Sequence, residues 1–211
     1  MAVSRPQPSL VVVDDVLDDP RAARALGLAA DYVLVPGGLR YRDAEVPAAL
    51  AAELTDKVLH IIGSRYRRRR EDVAFRHYLK RDERASRSRG SWVHFDRFRW
   101  IGIVYLNLPE QCRGGTSLFT HRATGIDRWP QLYRRMQQQP GYERRVFDDL
   151  ARMDRWEESL RVSMAFNRLV LFDSRMFHQA PCYFGATLDR ARLTLNVFFD
   201  EMSDERTLTE G

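Results

Sequence analysis

The sequence predicts a mostly β domain, a sandwich or barrel with helices on its outside. Three observations carry that prediction. From residue 92 onward, short β-branched and aromatic runs recur between turn signals. One helical excursion, over about 127–153, interrupts them. Residues 1–90 instead carry mainly helical patterning.

Leu10 to Val13 is a short β-branched run that reads as a leading strand. Asp18 or Asp19 is placed to cap a helix with Pro20 in its first turn, where the missing N–H of proline costs nothing. That helix is expected to end near Ala30. A second begins near Pro47, with Leu50, Leu54, Val58, Ile61 and Ile62 forming an apolar stripe, and ends at Gly63 and the arginine run behind it. Trp100 to Asn107 is nearly continuous in apolar residues, as expected of a strand buried on both faces. Pro109 to Gly115 reads as a loop, and Gly114-Gly115 turns tightly into Thr116-Ser117-Leu118-Phe119. Helical spacing returns in Trp129, Leu132 and Met136, then, past Pro140-Gly141, in Tyr142, Val146, Phe147, Leu150 and Met153. Strands resume at roughly Glu157 to Phe166, turn at Asn167-Arg168, continue through Leu169 to Phe172, and finish with Arg192 to Phe199. The polar end, Ser203 to Gly211, is expected to fray.

With 211 residues, 44% of them hydrophobic, the chain can bury one substantial core, so a single domain is expected. Residues 1–90 would supply the first strand and supporting helices, 91–200 the β core, and 201–211 a tail. No apolar run approaches the ~20 residues that cross a bilayer. Met1 to Leu10 lacks the apolar stretch of a secretory signal. Cys112 and Cys182 are too few for a disulfide framework, and a cytoplasmic location is expected. The net charge of +5 and pI near 9.5 come from arginine, since Lys57 and Lys80 are the only lysines. That balance favours anionic small molecules over nucleic acid. Arg65 to Arg70, extended by Arg81, Arg84, Arg87 and Arg89, invites a nucleic-acid reading. Glu71, Asp72, Asp82 and Glu83 interrupt it, so a solvated surface of mixed charge is expected.

Chemistry concentrates in three places. His94 and Asp96 stand two residues apart, so an extended segment points both to one side. His178 follows far downstream, past the strand that ends in Phe172-Asp173. Two imidazoles and one carboxylate suit Fe(II) and leave positions open for small ligands. Taken alone, His94-x-Asp96 better fits an ordinary surface hydrogen bond, and His178 beside Phe177 a core histidine; their joint order favours the metal. Arg192, on the last strand, is suited to clamp a carboxylate through two hydrogen bonds. Arg190 shares that strand face, so spacing leaves the anchor open between the two.

Five segments in order then resemble the Fe(II)/2-oxoglutarate-dependent dioxygenases, most nearly the prolyl-hydroxylase-like branch, over about Ser91 to Asp200. They are Trp92-Val93-His94-Phe95-Asp96, Val104-Tyr105-Leu106-Asn107, Gly114-Gly115-Thr116, Leu169 to Ser174 leading to His178, and Arg192 to Phe198. The resemblance implies a double-stranded β-helix (a jelly-roll, cupin-like core) buttressed by N-terminal helices. It implies Fe(II) on His94, Asp96 and His178, with 2-oxoglutarate as cosubstrate and O2 as oxidant. Its far carboxylate would meet Arg192, preferred to Arg190 because the residues after it match better, with Thr194 and Tyr105 beside it. Thr194 also suits plain strand filler, and Tyr105 a core aromatic. Hydroxylation is the implied default; desaturation or ring closure needs no other ligands. Asp96 argues against halogenation, whose enzymes carry a small residue there.

Thr120 to Gly125 follow the Gly-Gly strand and place His121 and Arg122 near the expected mouth of the site. Arg122 is a candidate for a substrate carboxylate or phosphate, and a surface residue otherwise. His121 is a candidate site residue, a strand-end cap otherwise, and less suited than Asp96 as a third ligand. Nucleic-acid-repairing members carry arginine where this chain has Asn196, which lowers that reading. The expected substrate is a small molecule, an amino acid or derivative. A protein or peptide residue is the second reading, and a non-catalytic β-barrel module binding an anion or nucleic acid the third. The sequence predicts neither the oligomeric state nor whether the 127–153 helices form a lid or a contact between copies.

Overall fold

A computed structural model describes residues 9–35, 41–68, 73–83 and 93–202. Its larger sheet is antiparallel and has the order β1 (Leu10–Val13), β9 (Leu169–Asp173), β6 (Trp100–Tyr105), β11 (Arg192–Glu201), β5 (Val73–Tyr78), β3 (Arg42–Ala44), β2 (Val33–Leu34). A short β4 (Tyr66–Arg67) joins the far end of β11. The smaller sheet is β10 (His178–Gln179), β7 (Gly115–His121), β8 (Trp156–Ser163).

Residue alternation explains how these sheets stack. Along β11, Leu193, Leu195, Val197 and Phe199 point to one side, where they meet Leu50, Leu54, Val58 and Ile62 of α2 (Ala48–Ile62) and Ala23 of α1 (Pro20–Ala29). Arg192, Thr194 and Asn196 point to the other side, toward the smaller sheet. There Ile101, Ile103, Tyr105, Val170 and Phe172 face Leu118 of β7 and Met164 just past β8. Beyond the smaller sheet, α3 (Trp129–Gln138) and the short α4 (Arg144–Phe147) set Leu132 and Val146 against Phe119, Trp156 and Phe177. Helices, large sheet, small sheet and helical insertion thus form successive layers. This is the double-stranded β-helix that the sequence led us to expect.

Local chemistry fixes the joints. Asp19 caps α1, accepting from the Ala22 N–H at 2.9 Å. Gly115 opens β7 at φ 135°, where a Cβ would stand 1.9 Å from the Val162 carbonyl oxygen; only glycine fits there. Asn167 makes its turn in the left-handed region, at φ 62°. Its amide bonds both the N–H and the carbonyl of Leu17, tying that turn to the segment before α1.

Some expectations needed adjustment. Ile61 is 36% exposed, so the α2 stripe closes on Ile62. The strand expected from Glu157 to Phe166 starts at Trp156 and stops at Ser163. Residues 1–90, read as helix with one strand, also carry β2, β3, β4 and β5. Ser91, Trp92, Arg69, Arg70, Glu71, Asp72, Arg84, Arg87, Arg89 and the polar end Ser203–Gly211 lie outside the described residues. Among the described residues, no helix is long and apolar enough to cross a membrane.

Candidate active site

The His94-x-Asp96 segment hangs on the 174–178 segment by backbone hydrogen bonds. His94 N–H donates to the His178 carbonyl at 3.0 Å, and His178 N–H returns the bond to His94 at 2.7 Å. Asp96 N–H donates to the Ser174 carbonyl at 2.8 Å. Segments far apart in sequence are thereby fixed side by side, and their side chains converge. One ligand atom each from His94, Asp96 and His178 lies within 4.8 Å of the other two; no other such group occurs among the described residues. His178 Nε2 is 3.5 Å from Asp96 Oδ2, and the two imidazole centroids are 4.3 Å apart.

The donor set is prepared for a cation. His178 Nδ1 lies 2.8 Å from the Met176 carbonyl. A carbonyl can only accept, so the ring proton sits on Nδ1 and the Nε2 lone pair faces the cluster. Phe172 meets the same ring edge-on, at 4.9 Å between centroids. His94 is open to solvent on one side, yet protein atoms crowd round its ring. That desolvation, reinforced by His178, lowers its pKa to about 4. Burial alone would raise Asp96; the His178 and His94 rings beside it and the Arg76 guanidinium outweigh this and bring it to about 2. Near neutral pH, then, His94 is neutral and Asp96 ionised, the protonation states in which both bind a metal.

On the inward face of β11 the chain buries polar atoms that have no partner among the described residues. Arg192 is 2% exposed, and its Nε and Nη1 have no hydrogen-bond partner. Thr194 Oγ1 and Asn196 Oδ1 are likewise without partners. The guanidinium carbon stands 5.2 Å from the Tyr105 ring centroid and 5.5 Å from that of Tyr78. Tyr105 is itself buried, its hydroxyl 2.7 Å from Thr116 Oγ1. A buried cation with no counter-anion costs several kcal/mol, roughly, even after relaxation, which an incoming carboxylate would offset. The orphaned atoms therefore fit a dicarboxylate cosubstrate, as the His, Asp, His set fits Fe(II).

Arg192 is aimed by its neighbours. Asn107 is fully buried and brackets it, donating Nδ2 to the Ala191 carbonyl and accepting the Leu193 N–H on Oδ1, both at 2.8 Å. Arg24 of α1 braces the same corner by donating to the carbonyls of Leu106 and Asp189. Arg190, the rival anchor, sits in the turn before β11 with a side chain 78% exposed, 3.9 Å from Asp189. The strand begins at Arg192, so the shared face on which the two seemed equivalent does not extend to Arg190.

His121 and Arg122 go elsewhere. His121 is buried at the end of β7, its ring nitrogens 2.8 Å from Thr124 Oγ1 and 3.2 Å from Asp149 Oδ2. Arg122 is exposed and donates Nε to the Trp156 carbonyl. Neither touches the triad in any contact among the described residues.

Several cleft residues went unread in the sequence. Arg76 of β5 forms a two-pronged pair with Asp43, both contacts 2.8 Å, and lies 4.0 Å from the Tyr41 ring centroid. Tyr41, Tyr78 and Tyr183 follow one another at 5.7 and 4.9 Å between ring centroids. Burial raises the Tyr41 pKa to about 12, with Asp96 among the charges acting on it. The signal was the alternation Val73-x-Phe75-x-His77, which leaves Arg76 and Tyr78 on the opposite face.

No curated protein matches the chain. Solved structures do. SnoK, a non-heme alpha ketoglutarate dependent carbocyclase from nogalamycin biosynthesis, matches with a TM-score of 0.53 at 14% identity, over 92% of this chain and 79% of that one. An oxidoreductase of the 2OG-Fe(II) oxygenase family from Burkholderia pseudomallei gives 0.52 at 14% identity, over 92% and 86%. HygX from Streptomyces hygroscopicus, solved with nickel and 2-oxoglutarate bound, gives 0.50 at 14% identity, over 93% and 84%. At these identities the likeness is one of fold. A family model matches residues 1–199, and the chain belongs to that family, the family of unknown function DUF6445.

Proposed function

We propose that this chain is an Fe(II)- and 2-oxoglutarate-dependent oxygenase that oxidises an unactivated C–H bond of a small molecule. One observation carries the reading: the His94, Asp96, His178 cluster is joined through Arg76, Tyr41 and Tyr78 to Arg192, a buried guanidinium whose Nε and Nη1 have no partner among the described residues. When bound, the iron, 2-oxoglutarate and O2 together supply C–H oxidation, with succinate and CO2 released. His94, Asp96 and His178 hold the metal through Nε2 of His178, one imidazole nitrogen of His94 and a carboxylate oxygen of Asp96. Arg192 and Thr194 take the far carboxylate of the cosubstrate, with Tyr105 closing the pocket around them. Placement of the anchor beside a strand tyrosine supports the prolyl-hydroxylase-like branch.

The rings of Tyr41, Tyr78 and Tyr183 line the approach, and Arg76 is already neutralised by Asp43. Such a wall offers aromatic faces and hydroxyls rather than free charge, which supports a compact, ring-bearing substrate. Hydroxylation is the default outcome; ring closure or desaturation uses the same ligands.

The test is spectroscopic. Anaerobic addition of Fe(II) and 2-oxoglutarate is expected to produce a weak visible charge-transfer band, and air to yield succinate. His94→Ala is expected to abolish both signals. Folded wild-type protein that gives neither band nor succinate refutes the proposal.

A further inference from the structure

Resting on the oxygenase reading, we infer that Asn196 is a cosubstrate-binding residue whose amide donates to the 2-oxo acid end of 2-oxoglutarate. The inward face of β11 carries three polar side chains in succession, Arg192, Thr194 and Asn196, each with an orphaned buried atom. Two of them account for the far carboxylate; the third is left over.

Register fixes where it lies. Thr194 stands opposite Tyr105, Asn196 opposite Ile103, and Phe198 opposite Ile101. Ile101 in turn pairs with Phe172, whose ring touches His178. The sheet thus runs from the guanidinium at Arg192 to the metal ligands beyond Phe172, with Asn196 between. Successive inward positions are about 7 Å apart along a strand. A dicarboxylate held at its far end by Arg192 and Thr194, and reaching the triad with the other, passes Asn196.

No described residue occupies that amide. Asn196 is 1% exposed, its strand neighbours Ile103 and Ala74 offer no polar side chain, and no side-chain hydrogen bond joins it to another described residue. The two ends of an asparagine amide are interchangeable by rotation, so the orphaned position serves equally for its N–H donors. A carboxylate is the ligand that two such donors fit.

The assignment is tested on nickel-loaded protein, in which no turnover occurs, by calorimetric titration with 2-oxoglutarate and, separately, with succinate. Succinate carries the far carboxylate but is one carbon shorter and ends short of Asn196. In Asn196→Ala the affinity for 2-oxoglutarate is expected to fall about tenfold, and that for succinate to stay unchanged. Asn196→Asp, equal in size but negatively charged, is expected to lose still more. Equal losses for both ligands, or 2-oxoglutarate affinity within about twofold of wild type in both variants, would overturn the assignment. Retained nickel binding shows that the variants fold. Wild-type protein that binds neither nickel nor 2-oxoglutarate removes the oxygenase reading itself, an outcome distinct from failure of the variants alone.

Discussion

Arg192 sits among aromatic rings with no acid among the described residues to neutralise it, an arrangement that weakens the free protein and prepares it for an anion. Replacing it by methionine separates the two effects. Arg192→Met is expected to melt at the same temperature as wild type or higher, while 2-oxoglutarate binding by calorimetry falls at least about 30-fold. His77, on the helix-covered face of β5, is a buried titratable group. Burial lowers its pKa to about 4, with the Leu188 backbone offsetting only part of the effect. The unfolded chain therefore binds a proton below about pH 6.5 that the folded chain refuses until about pH 4. Stability owed to neutral His77 is complete above pH 6.5 and drains away as pH falls, reaching about 3 kcal/mol at most. Melting curves from pH 7 to pH 4 are expected to fall more steeply for wild type than for His77→Phe; parallel curves would refute this. At this scale the gathering of His94, Asp96 and His178 was legible from the joint order of the family-like segments, with His-x-Asp needing only local extension to place its own two side chains. Choosing between Arg190 and Arg192 was not, because parity along a strand says nothing about where the strand begins.

β5 shows what the sequence conceals at the level of elements. Its apolar positions, Val73 and Phe75, are few, its third inward residue is His77, and its other face carries Arg76 and Tyr78. Pairing with β11, residue by residue from Val73 to Tyr78, and with β3 on its other edge makes it an interior strand. That pairing was not visible locally, so Arg76, Tyr78 and the Asp43 opposite Arg76 went unread. Runs such as Trp100–Tyr105 were read correctly because burial on both faces demands unbroken hydrophobicity. At the seam of β6 and β11, the Asn107 amide continues the ladder where the backbone of β6 has ended. Asn107→Ala would leave the Ala191 carbonyl and Leu193 N–H without those bonds. A loss of about 2–4 kcal/mol in denaturant unfolding is expected, with weaker 2-oxoglutarate binding because Arg192 lies between the two bonded backbone groups. Full stability in that variant would contradict the bracketing role.

For the whole molecule, function follows from layering. α1 and α2 cover one face of the large sheet with an apolar seam, which frees the other face to bury polar groups. The small sheet then closes over that face and delivers His178 from the segment beyond β9. That helices lie outside the sheets was legible from the periodicity of helices and strands, whereas the row of tyrosines arises only when the start of β3, β5 and the 183 region come together. The most direct measurement is a crystal structure grown without oxygen in the presence of Fe(II) and 2-oxoglutarate. A single iron is expected within bonding distance of His94, Asp96 and His178, with the far carboxylate of the cosubstrate on Arg192. Iron bound elsewhere, or an Arg192 still unpaired with cosubstrate present, would contradict the account.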